Sequence, residues 1–427
     1  MKEKTKYLII GAGISGLTAA NALGKDYLLL EKENEVGGYC RTIRRGDYIW
    51  DYAGHFFHFK TPEFRQLFCE SINEKDIISQ IKQTKILYQG QLIDYPFQTH
   101  IHQLAKDEFI DCLYDLFQKE EKKEYSDFLD MLYGKFGKSI VEKFLKPYNE
   151  KLYACDLHVL DKDAMGRFFP YADIPQIISN MKREKDISYN STFLYPRNGA
   201  GSFLDVLYRR LDSENVCLGC TLSKVDIKNK LAYTNDGSKI AFEYLINTAP
   251  LNHFLDMLGD PSSKALKQRL SYNKVLVFNL GFARKSDWHE HWIYVPDPDV
   301  NFYRIGFYDN ILNTDKLSMY VEIGFSKDAS VDVPQQLTLT LNNLRRCGII
   351  DNSNPLLESM AIVMDPAYVH INHDVEAAIV AMKEELAGSG IYTIGRYGGW
   401  TYCSMEDCML EATALARTLQ NDAPSNL

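Results

Sequence analysis

No run in these 427 residues approaches the ~20 apolar positions that a bilayer-crossing helix needs, so no transmembrane segment is expected. A basic stripe is also missing. With 48 Lys and Arg against 57 Asp and Glu the formal charge is −9, which argues against a nucleic-acid-binding surface. A few focused arginines could still hold an anion. The 9 cysteines are scattered, and the one close pair, Cys217-Leu218-Gly219-Cys220, lacks the second pair that a zinc ribbon requires. It reads as a β segment, no metal site is expected, and the thiols are expected to lie mostly buried in a reducing cytoplasm. Repeats and low-complexity segments are absent. At this length the prior is two or three interleaved domains, enough to enclose a large cofactor.

What is present starts at once. The apolar run Tyr7-Leu8-Ile9-Ile10 leads into Gly11-Ala12-Gly13-Ile14-Ser15-Gly16, and the next apolar run, Tyr27-Leu28-Leu29-Leu30, closes on Glu31. Strand, tight turn, helix, strand and acid in that order describe a dinucleotide site. Gly11 permits the turn, Gly13 admits a pyrophosphate to the helix N-terminus, and Gly16 lets helix and strand pack closely. Glu31 would accept from a ribose hydroxyl. The lysine-rich start before the first run superficially resembles a signal peptide, but that run is the first strand of the nucleotide fold. Beyond Glu31, the pair Gly37-Gly38 resembles the continuation in FAD-binding oxidoreductases; Gly38 would let backbone lie against the cofactor, and Arg41 could offset phosphate charge.

Cofactor elements bracket the chain. Gly390 to Trp400 reads as a strand breaking into a glycine turn at Gly395 and Arg396, and Ser404-Met405-Glu406-Asp407 reads as a capping box opening a helix from Cys408 to Leu419. Met405 thus joins the cofactor-binding set. The expected fold class is α/β: a Rossmann-like FAD-binding domain from 1–60, 195–250 and 385–420, a largely helical insertion at 61–190, an antiparallel sheet domain at 251–384, and a frayed tail at 421–427. Within it, 61–80 and 103–163 show helical spacing, 191–244 reads as short strands, and Lys274–Leu280 and Leu317–Ile323 as longer ones. Leu245 to Pro250 reads as a buried strand returning into the nucleotide domain.

Several short clusters, colinear along the chain, resemble the flavin-dependent UDP-galactopyranose mutases, eukaryotic-type members above all, within the flavin amine oxidase superfamily. They are Asp51-Tyr52-Ala53-Gly54-His55, Tyr95-Pro96-Phe97-Gln98, Lys146-Pro147-Tyr148-Asn149, Gly166-Arg167, Asn190-Ser191-Thr192-Phe193, Trp292-Ile293-Tyr294, Phe302-Tyr303-Arg304 and Gly395-Arg396-Tyr397-Gly398 with Trp400-Thr401-Tyr402. The resemblance implies a cytoplasmic enzyme of cell-surface polysaccharide biosynthesis. It would interconvert pyranose and furanose forms of a UDP-sugar through a covalent adduct with reduced FAD, the flavin being primed by a reductant such as NAD(P)H. It also implies roles: Arg167 and Arg304 clamp the diphosphate, and Tyr294, Tyr368 and Tyr402 donate to its oxygens. Tyr95 and Gln98 hold uracil, Asn149 and Asn190 reach sugar hydroxyls, His55 lies over the flavin ring, and Arg396 stabilises its negative charge.

Two departures bear on substrate. Tyr153 stands where the family commonly has tryptophan, and Glu406 followed by Asp407 where it has asparagine or aspartate, so the sugar could be a deoxy or N-acetyl analogue and the nucleotide other than uridine. Two other readings share the cofactor motifs: an amine-oxidase or protoporphyrinogen-oxidase-like enzyme, which needs apolar pocket walls, and a flavin-binding protein without catalysis. Segment 167–190 is a candidate mobile lid, and a homo-oligomer is left open.

Overall fold

The computed structural model describes residues 2–182 and 191–421. Asn190, the end of the 167–190 segment and residues 422–427 of the expected tail lie outside it. The opening strand, Lys4–Ile10, lies between Tyr27–Leu30 and Lys239–Asn247, all parallel, with Tyr7 opposite both Tyr27 and Tyr244. Val216–Cys217 extends one side. On the other, Ile391–Thr393 pairs parallel with the end of Lys239–Asn247, and the hairpin Leu222–Asp226/Leu231–Thr234 runs antiparallel to its start. Because the chain leaves the opening strand toward one side and returns on the other, a crevice forms beyond Ile10, Leu30 and Asn247, the usual ligand position in such sheets.

Side chains alternate along these strands, so one sheet feeds two cores. Tyr7, Ile9 and Leu29 pack with the opening helix Ile14–Leu23 and the closing helix Met405–Asn421, whereas Leu8, Ile10 and Leu28 pack with Leu251, Phe254 and Ile379. A Cβ on Gly16 would stand 1.8 Å from the Gly11 carbonyl oxygen, so helix and turn touch only because that residue is glycine.

A second sheet of seven strands runs Leu356–Met364, Asn273–Phe282, Ser318–Ser326, Arg304–Phe307, Trp292–Tyr294, Thr84–Tyr88, Gln91–Asp94, antiparallel except where Thr84–Tyr88 meets Trp292–Tyr294. Its register sets Tyr294 opposite Arg304 and Arg304 opposite Glu322, with Trp292, Gly306 and Tyr320 in the next row of the same face. The other face, with Ile293, Ile305 and Val321, belongs to a third core.

The expected strand return at Leu245 and the two long strands near 274 and 318 are present, as Lys239–Asn247, Asn273–Phe282 and Ser318–Ser326. Other elements differ. The helix at 61–80 ends at Ser71, and Ile77–Ile81 pairs with Thr192–Pro196 as a strand. Gly201–Arg209 is a helix inside the stretch read as strands, and of Cys217–Cys220 only Cys217 is in a strand, because Gly219 at φ +67° turns the chain. Lys146-Pro147-Tyr148-Asn149 is helical rather than a turn; the widened π turn Val141–Leu145 just before it accommodates a proline that has no N–H to give. The closing helix starts three residues earlier than expected, at Met405.

Candidate active site

One cavity of about 820 Å³ runs from the crevice of the first sheet to the Arg304 face of the second. Gly11, Gly13, Ser15, Glu31, Gly38, Arg41 and Met405 line its first end. The opening helix has no side-chain cap, and a Cβ on Gly13 would meet nothing within 4 Å, so the first helical N–H groups face open space. That is an anion cradle. Glu31, 7% exposed, accepts from Ala12 N at 2.7 Å and Glu33 N at 3.0 Å, which fixes the carboxylate at the strand end with lone pairs to spare. Arg41 donates through Nε to the Gly38 carbonyl and through Nη1 to Glu35, each at 2.9 Å, and lies over the Tyr52 ring. Gly395, at φ +81°, donates its N–H to Glu411, and a Cβ there would meet Ser15 Oγ at 2.3 Å. These residues fit a dinucleotide, with pyrophosphate at the helix and ribose at Glu31.

The other end is built of guanidinium and phenol groups. Arg304 Nε and Nη2 bind both oxygens of Glu322 at 2.6 and 2.8 Å, and the carboxylate is 1% exposed. The paired charge holds the Arg304 guanidinium well above its ordinary value although burial works against it. Tyr294 accepts from Trp292 Nε1 at 3.1 Å and packs on Tyr95, ring centroids 4.9 Å apart. Arg396 donates to the Cys403 carbonyl at 2.9 Å and lies 4.6 Å from the Tyr402 ring and 5.3 Å from that of Tyr368. Burial pushes the Tyr402 phenol up to about 12, so it stays a neutral donor. His55 lines the cavity between the two ends, its Nδ1 3.0 Å from the Ala53 carbonyl; burial holds the imidazole down at about 4, neutral at physiological pH.

Three residues expected at the substrate stand behind the wall. Gln98 is fully buried and donates to the Pro170 carbonyl, Asn149 donates to the Leu145 carbonyl at 2.6 Å, and Tyr153 is 1% exposed, its ring edge-on to Tyr368. In this conformation the π turn and the close packing of the 146–153 helix turn Asn149 inward. Arg167 is outside the lining as well: its Nη2 binds Asp407 at 2.5 and 2.6 Å, while its neighbours Met165 and Phe168 line the cavity. Glu406 is occupied by Lys60 N and Thr61 N at 2.8 and 2.6 Å. Sequence reasoning missed Glu322, whose signal was a carboxylate in a strand of buried neighbours, and the wall residue Tyr320, while Trp292 and Tyr303, quoted within the motif clusters but given no role, also line the wall.

Fold and cavity define a dinucleotide-binding α/β protein, and residues 9–70 match the family of NAD(P)-binding Rossmann-like domains. The whole chain has the fold of UDP-galactopyranose mutase: superposition on a reduced enzyme of that name gives a TM-score of 0.92, with 98% of this chain and 94% of the other covered at 22% identity. A protein from Exiguobacterium sp. 255-15, assigned provisionally as a protoporphyrinogen oxidase, superposes at 0.76 over 99% of this chain and 100% of its own at 18% identity. In sequence, UDP-galactopyranose mutase of Mycoplasma pneumoniae is 38% identical over 80 residues, 17% of this chain. The matched stretch spans only 20% of that relative's length. No helix among the described residues is long and apolar enough to cross a membrane.

Proposed function

We propose that this chain is an FAD-dependent mutase that interconverts the pyranose and furanose forms of a UDP-sugar, galactose or a close analogue. The observation that carries the reading is the single cavity joining a dinucleotide cradle to a wall of Arg304, Arg396 and tyrosine hydroxyls. Gly13, Ser15, Glu31, Gly38, Gly395 and Met405 would hold FAD. When bound and reduced, for instance by NAD(P)H, it would supply an electron-rich nucleophile for the anomeric carbon. Two Arg304 nitrogens are fixed by Glu322, which leaves N–H groups of a preoriented guanidinium for the diphosphate leaving group. Tyr294 and Tyr402 donate to phosphate oxygens, and their rings exclude water. Arg396, buried among tyrosines, offsets negative charge on the reduced cofactor. His55, neutral, offers Nε2 as an acceptor without adding a proton source. Arg167 would exchange Asp407 for the diphosphate when substrate arrives.

A hydride-abstracting oxidase would need apolar walls opposite the flavin, and two guanidinium groups there count against it. The test is to load FAD, reduce with dithionite, and follow UDP-galactofuranose and UDP-galactopyranose by chromatography. Interconversion by the reduced form alone is expected. Hydrogen peroxide formation from an amine or porphyrinogen, with UDP-sugars untouched, would overturn the proposal in favour of the oxidase.

A further inference from the structure

Ser404 caps the closing helix: its hydroxyl accepts from Asp407 N at 3.2 Å, and its own N–H donates to Asp407 Oδ2 at 2.8 Å. In such a start the residue before the cap packs on the fourth residue of the helix, usually as an apolar staple. Here those two residues are Cys403 and Cys408, with Sγ atoms 3.6 Å apart. The contact follows from the cap geometry, so it is fixed by local structure. Both thiols line the cavity, Cys408 buried and Cys403 partly covered. The hydrogen bond shared with Cys403, which either sulfur can donate, holds the Cys408 thiol below its ordinary value against burial, helped by the Ser15 hydroxyl, the Arg396 N–H and the Arg396 charge. The same bond and burial push Cys403 up. Two sulfurs thus lie in contact at the start of a helix, with Cys408 held below its ordinary value, a setting that favours thiol oxidation.

We propose that Cys403 and Cys408 are a redox-active dithiol that closes to a disulfide on the cavity wall when the protein meets a hydroperoxide. The Cys408 thiolate attacks one peroxide oxygen and breaks the O–O bond, giving a sulfenic acid and, with hydrogen peroxide, hydroxide. Cys403 then attacks that sulfur; its proton and the sulfenic hydroxyl leave as water. Two thiols lose two electrons, and one peroxide becomes two waters. The sulfurs must close from 3.6 Å to about 2.05 Å, a small movement for a residue in the loop before the helix. It matters to the cavity because the Cys403 carbonyl is the acceptor that fixes Arg396 Nη1 at 2.9 Å. Disulfide closure therefore acts on that guanidinium and on the adjacent Tyr402, independently of whether the mutase reading holds.

Cys217 and Cys220 provide an internal comparator: they also hydrogen-bond, but burial holds Cys220 up at about 12. FAD-loaded protein is treated with equimolar hydrogen peroxide, alkylated with iodoacetamide without reduction, and digested with trypsin. The peptide 397–417 is expected to emerge about 2 Da light, the two hydrogens lost, and unalkylated, with phosphine restoring both sites. It should oxidise at least tenfold faster than the Cys217–Cys220 pair or the exposed Cys69. Cys403→Ser should abolish the mass loss and leave Cys408 as sulfenic or sulfinic acid. Full alkylation of both cysteines after Cys69 has been oxidised would overturn the proposal, and that readout needs only the wild-type protein.

Discussion

Glu322 and Arg304 form the ion pair on which the site's polarity rests, and the two are unequal in how they could be foreseen. Arg304 stands out in the sequence because an unpaired guanidinium among Phe302, Tyr303 and Ile305 is costly. Its partner does not, because strand register is not written locally: only the pairing of Arg304–Phe307 with Ser318–Ser326 sets the two opposite. Arg304→Ala is expected to lower kcat/KM by about 10- to 150-fold, for loss of charge-assisted bonds worth roughly 1.5–3 kcal/mol. It also strands a buried carboxylate, so the double variant Arg304→Ala/Glu322→Gln should recover stability, read by urea unfolding, without recovering turnover. His370 gives a separate residue-level test. Burial holds it down at about 4, with Nε2 2.9 Å from the Tyr153 carbonyl and Nδ1 2.8 Å from Ser271 Oγ. Unfolded, it takes a proton near 6.5; between those values the unfolded state binds more protons, so this group costs the fold stability as pH falls, by at most about 1.4 kcal/mol per pH unit. Asp51 and Asp309, pushed up to about 7 and 6 by burial, act in the opposite sense, stabilising the fold as pH falls. The check is therefore a comparison: His370→Gln should flatten the acid limb of Tm against pH relative to wild type, and an unchanged limb would remove His370 from the account.

At the scale of elements, what the sequence shows is whatever has a short period or a local hydrogen bond. The glycine turn, the strand before it, the Ser404 cap and the long strands near 274 and 318 were all legible for that reason. The helix Gly201–Arg209 was not, because its glycine-rich start reads as a turn; nor were the strands Thr84–Tyr88 and Gln91–Asp94, whose place in the second sheet is decided by a partner two hundred residues away. Gln98, Asn149 and Tyr153 show the same boundary at the site. Motif order places them near the cavity, and only packing turns them away from it. Two substitutions test the elements. Ser404→Ala should destabilise the closing helix by about 1 kcal/mol in urea unfolding, the usual cost of a lost cap. Gly16→Ala should abolish FAD retention, since the methyl would overlap the Gly11 carbonyl and force the helix off the turn; normal flavin content after purification would refute that contact.

At the scale of the whole molecule, the cavity has walls from both sheets and from both ends of the chain, so occupancy should stabilise everything at once. FAD at a hundred times its Kd is expected to raise stability by about 2.7 kcal/mol, visible as a concentration-dependent rise in Tm. A shift confined to one of two resolved transitions would show instead that the second sheet unfolds independently of the first.

The pairing of opening and closing helices has a further meaning for how the protein is made. At about 5–20 residues per second a ribosome needs roughly 20–80 s to make the about 390 residues from the start of the helix Ile14–Leu23 to the start of Met405–Asn421. The opening helix waits through that interval for Met405–Asn421, the helix it packs against. Until then the nascent chain carries uncovered the part of the helix that packs on Met405–Asn421. Packing of the opening helix is thereby finished only after Met405–Asn421 has emerged, and a product broken before that helix would expose an apolar face that chaperones and proteases recognise.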